Sequence, residues 1–402
     1  MTVADRDAAE GRGRGSTLVR VLMLVPNFGP ERPLVGGAER QAEKLSLALL
    51  ERGCQVEVVT PRDDRRWPAR EVINGLTIHR FPISDLSRVL PRGAGIPNTL
   101  LRRMQTQRGV RAQLGRFDLL HCHMGSPLTA FAVGVAARMG KPVVCKVACG
   151  GRLFDLRTTA ETTRGAGLLS RAMVRGVTRW IAISDEICRE LMEWGVDPAR
   201  IARIPNGVEP LAFAPLPAGG VARRFLYLGR IADNRDHGLM VRAFERVLER
   251  VPECELAIVG SGELEAELRR LVAEMPLGRS RIHMEGYGDG AEWLAWTDAV
   301  VQPSRWEGMS NTLLEAMSAG RACVATDIPP NREVLGGGRL GLLSPPGDVD
   351  AMAAAMLRLA TEPGAAATLG AAGQQEVRDV YEIVSVADRY LELYQSLGFP
   401  KT

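Results

Sequence analysis

The sequence predicts an α/β fold in which two doubly wound, parallel-sheet domains face each other across a cleft. Three observations predict it. Short apolar runs alternate with amphipathic helical runs along the whole chain, the pattern of stacked βαβ units. A strand–long loop–helix–strand plan over residues 19–60 restarts over residues 225–259. Between the two copies, Ile204–Arg224 carries Pro205, Pro210, Pro215, Pro217, Gly219 and Gly220, the strongest linker signal in the chain.

Each element follows from local pattern. Val19–Val25 (VRVLMLV) is a buried strand, followed by a loop with Gly29, Pro30, Pro33, Gly36 and Gly37. Ala38–Glu51 repeats Leu45, Ala48 and Leu49 at helical spacing and stops at Gly53. Gln55–Thr60, Leu119–Cys122, Pro142–Val147 and Trp180–Ile183 continue the first sheet. The second sheet begins with Phe225–Gly229, a polar loop, the helix Gly238–Arg250 and the strand Glu255–Val259. Asp298–Gln302, a helix from Ser310 to Ala319 and Ala322–Thr326 follow. The expected organisation is a disordered tail (1–16), a first domain (17–205), a linker (206–224), a second domain (225–385) and a C-terminal segment (386–402). The helix Ala387–Leu397 in that last segment is expected to pack back on the first domain. Ligands of such sheets sit outside the carboxyl ends of the strands, which makes the cleft the place to look.

Composition narrows the class. The 402 residues are 46% hydrophobic and 24% charged, as in globular proteins, and no run of about 18 apolar residues exists to span a membrane. The segment MTVADRDAAEGRGRGS has no apolar core of a secretory signal. The net charge of +4 is too small to argue for nucleic acid, and only Lys44, Lys141, Lys146 and Lys401 among the basic residues are lysine. Seven cysteines in such a chain are expected to stay reduced, which points to the cytoplasm.

Three attractive motifs lose to their context. Gly336–Gly341 (GGGRLG) fits a dinucleotide fingerprint but neither ends a strand nor opens a helix. Asp348 and Asp350 resemble metal-holding carboxylates, yet they start a helix, where carboxylates cap free N–H groups. His121 and His123 share one face of a strand while Cys122 takes the other, a poor start for one tetrahedral zinc cage.

Pro303–Pro329 (PSRWEGMSNTLLEAMSAGRACVATDIP) carries the chemistry. A strand leads through a loop with Glu307 and Gly308 into a helix whose N-terminus offers the free amides of Met309–Thr312 to an anion. Glu315, hemmed by Leu313, Leu314, Ala316 and Met317, needs hydrogen-bond donors, and sugar hydroxyls are donors. Arg230 and Arg235 follow a strand end, where guanidiniums suit a diphosphate. Gly36 and Gly37 open the first helix and let its backbone approach a ligand; His123 ends a strand in the same half.

At these residues the chain resembles a family. Residues 19–395 are similar to the retaining glycosyltransferases of family 4, whose GT-B fold pairs two facing Rossmann-like domains. The matching motifs run in family order: GGAE at Gly36–Glu39, DLLHCH at Asp118–His123, AISD at Ala182–Asp185 and IPNGV at Ile204–Val208. GR at Gly229–Arg230, IVGSGE at Ile258–Glu263 and EGMSNTLLEAMSAG at Glu307–Gly320, with its E-x7-E pattern, complete them. The resemblance implies a nucleotide-diphosphate sugar, UDP-sugar favoured, as co-substrate, with no cofactor and no metal. Glu315 would hold the ribose and Glu307 the transferred sugar. Ser310, Asn311 and Thr312, with Arg230 and Arg235, would cradle the diphosphate. Gly36 and Gly37 would close on it from the other domain, and His123 would lie near the sugar and the acceptor hydroxyl. Catalysis would rest on His123, Arg230 and Glu307.

Two positions depart from the family. Arg235 stands where many members have Lys, and Asp236 follows it, placed to neutralise it in part. Lys146 lies in a strand at whose end the family often has His; it either supplies charge in the cleft or snorkels from the sheet end.

The acceptor side is basic. Ser87–Phe117 has no acid but contains Arg88, Arg92, Arg102, Arg103, Arg108, Arg111 and Arg116, with Ile96, Leu100 and Met104 at helical spacing. Such a face suits an anionic membrane surface or a lipid-phosphate acceptor. The alternative is a solvated helix face in an arginine-heavy chain. The reading is therefore a cytoplasmic glycosyltransferase acting on a saccharide, lipid-linked or small-metabolite hydroxyl, with peripheral contact at the inner face of the membrane as the further expectation if this face binds lipid. The rivals are a nucleotide-sugar epimerase of the same architecture and a non-catalytic nucleotide-sugar-binding module. A nucleic-acid partner is not expected, because no aromatics interleave the arginines.

Overall fold

A computed structural model describes residues 18–29, 36–84, 95–161 and 166–398. The expected tail over 1–16, Pro30, Pro33, Arg88 and Arg92 lie outside the described residues. The first sheet has eight strands: β1 (Arg20–Leu24), β2 (Gln55–Arg62), β3 (Arg70–Ile73), β4 (Leu76–Pro82), β5 (Leu119–His123), β6 (Val143–Val147), β7 (Arg179–Ala182) and β8 (Ile201–Arg203). Their spatial order is β3-β4-β2-β1-β5-β6-β7-β8, and all pairings but β3–β4 are parallel. The second sheet has six strands, β9 (Arg224–Leu228), β10 (Glu255–Val259), β11 (Ile282–Gly286), β12 (Ala299–Gln302), β13 (Ala322–Thr326) and β14 (Leu342–Ser344). Its order, β11-β10-β9-β12-β13-β14, is parallel throughout.

Both sheets reverse strand order once, between β1 and β5 and between β9 and β12. A crevice opens at the carboxyl ends of such switch points, because the flanking loops diverge to opposite faces of the sheet. The strands are read easily because they are buried on both faces: every residue of β5, β6 and β13 is buried.

The C-terminal helix Ile383–Gln395 packs on the first sheet, not the second. Val386, Tyr390 and Tyr394 share a core with Val21, Met23, Val56 and Leu45. Tyr394 Oη lies 2.6 Å from His121 Nδ1. The chain reaches this helix through Val208, whose amide donates to Tyr381 O at 2.8 Å while Ile383 N–H donates to Val208 O at 2.9 Å. The linker and the C-terminal return thus stitch the two halves side by side.

Sequence reading passed over the β3–β4 hairpin. Its turn is Asn74-Gly75, with φ of 51° and 84°, the dipeptide that suits two left-handed residues between paired strands. Two of the motifs set aside in the sequence take the forms expected of them. Gly336–Gly338 is a short turn after a helix, and Asp348 accepts from the Ala351 amide at 2.9 Å as a helix N-cap. No helix among the described residues is long and apolar enough to cross a membrane.

Candidate active site at the domain seam

The loop leaving β12 delivers the helix Asn311–Ser318. Ser310 caps it, its Oγ accepting from the Leu313 N–H at 3.3 Å. The first backbone bond of the helix runs from Leu314 N–H to Ser310 O at 3.2 Å. The amides of Asn311 and Thr312 precede it and form the positive end of the helix dipole. Thr312 Oγ1 donates to Leu228 O at 3.1 Å, which pins this end over the end of β9, at the switch point.

Glu307 is half-buried in that loop, with one carboxylate oxygen engaged. Its Oε1 accepts from Gln302 Nε2 and Ser304 Oγ, both at 3.2 Å, and pairs with Arg235 at 2.5 Å. Arg230 stands apart: it is exposed and pairs with Glu263 at 3.0 Å. The placement of Asp236 against Arg235 needs correction. Asp236 accepts from the Leu239 amide at 3.0 Å as the N-cap of the helix His237–Leu248 and pairs with Arg305 at 3.3 Å. An N-cap carboxylate is claimed by the free amides beside it; the acid that neutralises Arg235 is Glu307.

The other half contributes the first helix, Gly37–Glu51. Asn311 Nδ2 donates to Gly37 O at 3.2 Å, and a Cβ on Gly37 would sit 2.9 Å from that nitrogen. Gly36 is the N-cap, with the Glu39 carboxylate folded back to its amide. Gln41 Nε2 donates to Asn311 Oδ1 at 3.2 Å and to Gly207 O at 2.9 Å, while Asn206 Nδ2 donates to Asn311 Oδ1 at 2.8 Å. Lys44 Nζ pairs with Glu315 Oε1 at 3.3 Å. The apolar neighbours of Glu315 point into the core, and the donor its carboxylate finds is this ammonium from the opposite domain. Sequence reading gave Gln41, Lys44 and Asn206 no role. The signal was present: Gly37, Gln41 and Lys44 are spaced i, i+4, i+7, one face of a helix.

A second contact lies beside Glu307. A Cβ on Gly308 would meet Ala148 O at 2.2 Å, and one on Gly150 would lie 3.5 Å from Glu307 O. Arg152 stacks over the Trp306 ring at 5.7 Å. The 148–151 loop is held from below by buried Asp155, which accepts from the amides of Gly125 (2.7 Å), Ala148 (3.1 Å) and Cys149 (3.1 Å). Burial raises the Asp155 carboxyl to about 6, against the pull of those amides.

His123 ends β5 at 2% exposure, with no hydrogen-bond partner for its Nε2. Burial first, then the neighbouring His121 and Lys146, hold its pKa well below the usual imidazole value, so the ring is neutral at physiological pH. Met124, directly after it, has φ of 128°, a left-handed conformation that costs a non-glycine residue about 1–3 kcal/mol and persists only where surroundings over-determine it. Asp155 on the Gly125 amide and Thr129 Oγ1 on Met124 O (2.7 Å) supply that restraint.

Two doubly wound sheets meeting at their carboxyl ends define the GT-B class of glycosyltransferases. The solved structure of HepE from Anabaena in complex with UDP-glucose superposes with a TM-score of 0.74 at 16% identity, covering 94% of this chain and 99% of that one. Residues 35–210 match the family model described as Glycosyltransferase Family 4, and residues 222–362 match that described as Glycosyl transferases group 1. A phosphatidyl-myo-inositol mannosyltransferase of Mycobacterium tuberculosis is 30% identical over 339 residues, 80% of this chain and 82% of that protein. That of Mycolicibacterium smegmatis is 27% identical over 374 residues, 90% and 91% of the two chains. The chain belongs to the family 4 glycosyltransferases.

The Gly308–Ala148 approach yields a prediction. Gly308→Ala overpacks the seam, at about 1–3 kcal/mol, and shifts Glu307. Its thermal midpoint falls, and sugar transfer falls by a larger factor than that midpoint loss explains. Unchanged transfer would mean that the two loops separate freely.

Proposed function

We propose that this glycosyltransferase moves a sugar from a nucleotide-diphosphate sugar, UDP-sugar foremost, to an acceptor hydroxyl, with retention of configuration and without a metal. One observation carries the reading: the Gly37 carbonyl of one domain touches Asn311 at the helix N-terminus of the other, with Glu307 in the loop before that helix and Glu315 within it. In this reading Glu315 takes the ribose hydroxyls and Glu307 those of the sugar. The diphosphate lies against the amides of Asn311 and Thr312. Arg235 spans both tasks, because a guanidinium has five N–H donors and its bond to Glu307 uses only part of them. Arg230 swings from Glu263 to the outer phosphate.

The bond from the anomeric carbon to the phosphate oxygen breaks, and negative charge grows on the diphosphate. Preorganised donors aimed at that charge are typically worth ~3–4 kcal/mol each, and here two guanidiniums and a helix N-terminus supply what a cation would. The acceptor oxygen attacks from the face the phosphate vacates and its proton passes to a phosphate oxygen, so configuration is kept. Neutral His123 offers a hydrogen-bonding nitrogen beside the sugar. No carboxylate pair at glycosidase spacing is needed.

Incubation with a panel of nucleotide sugars and hydroxyl acceptors in EDTA tests this directly. NMR of the product is expected to show the anomeric configuration of the donor; an inverted centre, or activity only on metal addition, overturns the proposal. Arg230→Ala is expected to lower kcat by ~10² with little change in acceptor KM, and wild-type turnover would remove Arg230 from the mechanism.

The acceptor side fits peripheral contact with an anionic membrane. In the helix Gly95–Leu114, Ile96, Leu100 and Met104 are 64%, 53% and 48% exposed at four-residue spacing. Arg103, Arg108 and Arg111 are exposed near them, and the helix holds no acid. Its second half is anchored through buried Thr106, Val110 and Leu114, leaving the first half to project. Such a face binds by apolar insertion plus attraction to anionic lipid. Co-sedimentation with phosphatidylglycerol vesicles is expected, weakened by salt and by Leu100→Glu, and absent with phosphatidylcholine. Failure to sediment with the anionic vesicles refutes the contact.

A further inference from the structure

Lys146 is the feature that the reaction as described does not use. It lies on β6 directly beside His123, its register partner on β5. Both side chains stand on the same face of the sheet, at its carboxyl edge, where the cleft opens. Lys146 is 4% exposed, yet its ammonium has no hydrogen bond and no ion pair among the described residues. Among the described residues the other buried arginines have partners: Arg80 reaches Phe28 O and Glu71, and Arg321 reaches Leu294 O. Burial alone pushes Lys146 down to about 7, with no carboxylate opposing it. A nearly buried ammonium without a counter-charge carries much of the cost of taking a charge out of water. Next to it, His123 Nε2 is buried and equally without a partner. Two orphaned polar groups side by side at a strand edge mark a site completed by something from outside the chain.

We propose that Lys146 binds a phosphate group carried by the acceptor, with the acceptor hydroxyl presented beside His123. The inference rests on the glycosyltransferase reading above and adds the acceptor class: a phosphate-bearing alcohol. The anion is the counter-charge the chain does not provide. Its position in the first domain separates it from the donor diphosphate, which has its own donors in the second. An acceptor without a phosphate would leave the ammonium unpaired in the closed cleft, so neutral alcohols are discriminated against by the same desolvation that Lys146 now carries.

The test is binding of defined probes to the full chain with the donor site saturated by UDP. Glycerol 3-phosphate serves as a soluble monoester, dihexanoyl-phosphatidylglycerol as a lipid diester, and glycerol as the neutral control, each followed by calorimetry. Wild type and Lys146→Arg are expected to bind at least one phosphate probe and not glycerol; the probe preferred tells a metabolite acceptor from a lipid one. Lys146→Met is expected to lose that probe by at least tenfold while keeping wild-type affinity for UDP and wild-type hydrolysis of the donor. Removal of an unpaired buried charge is expected to leave its thermal midpoint at or above that of wild type. If neither phosphate probe binds wild type, if Lys146→Met binds it equally, or if Lys146→Met loses UDP instead, the acceptor-phosphate site is wrong. Failure of the underlying reading looks different: wild type then neither binds UDP nor consumes any nucleotide sugar.

Discussion

The seam between the domains depends on one polar contact, the side chain of Asn311 held at once by Gly37 O, Gln41 and Asn206. Asn311 is the first residue of the helix whose N-terminus faces the cleft, so the group that would meet an anion is fixed by residues of the opposite domain. Glycine at position 37 leaves room for the approach: a Cβ there would meet the Asn311 nitrogen at 2.9 Å and push that side chain out of the clasp. The clasp fixes how the first helix of one domain meets the helix N-terminus of the other.

Electrostatics at the seam is arranged in pairs before any substrate arrives. Glu307 has Arg235 and Glu315 has Lys44, each pair partly buried. Each pair balances a partly buried carboxylate with a cation, which offsets the cost of taking either charge out of water. The Lys44 pair also crosses the domain boundary, so anything bound to Glu315 is coupled to the first helix. Lys146 is the contrast: more deeply buried than Lys44 or Arg235 and, among the described residues, without an acid.

Much of this was legible in the sequence, for physical reasons that particular residues make plain. Strands such as LLHCH and ACVAT are buried on both faces, so their apolar runs stand out without periodicity. The helix Asn311–Ser318 was legible because Ser310 is a cap and Gly308 and Gly320 punctuate its ends. Partners across the seam were not. Lys44 and Glu315 are 271 residues apart, and their pairing is made by domain docking that no local pattern encodes. Asp236 was misread for the converse reason: adjacency to Arg235 in sequence counted for less than the free amides of the helix it begins. The Asn74-Gly75 hairpin was legible and overlooked, its strands being short and half-exposed.

The strain at Met124 ties the acceptor side to this scheme. A left-handed non-glycine residue immediately after His123 is held by Asp155, whose second task is to bind the amides of Ala148 and Cys149. One buried carboxylate therefore fixes both the strand end that carries His123 and the loop that presses against Gly308 beside Glu307. Its raised titration, near 6, means that protonation below that point weakens all three amide bonds together. Because its folded-state value lies above the ordinary carboxylate one, folding gains nothing from the ionised form, and Asp155 is retained at a cost in stability. That cost is consistent with a residue kept for fixing the strand end at His123 and the loop beside Glu307.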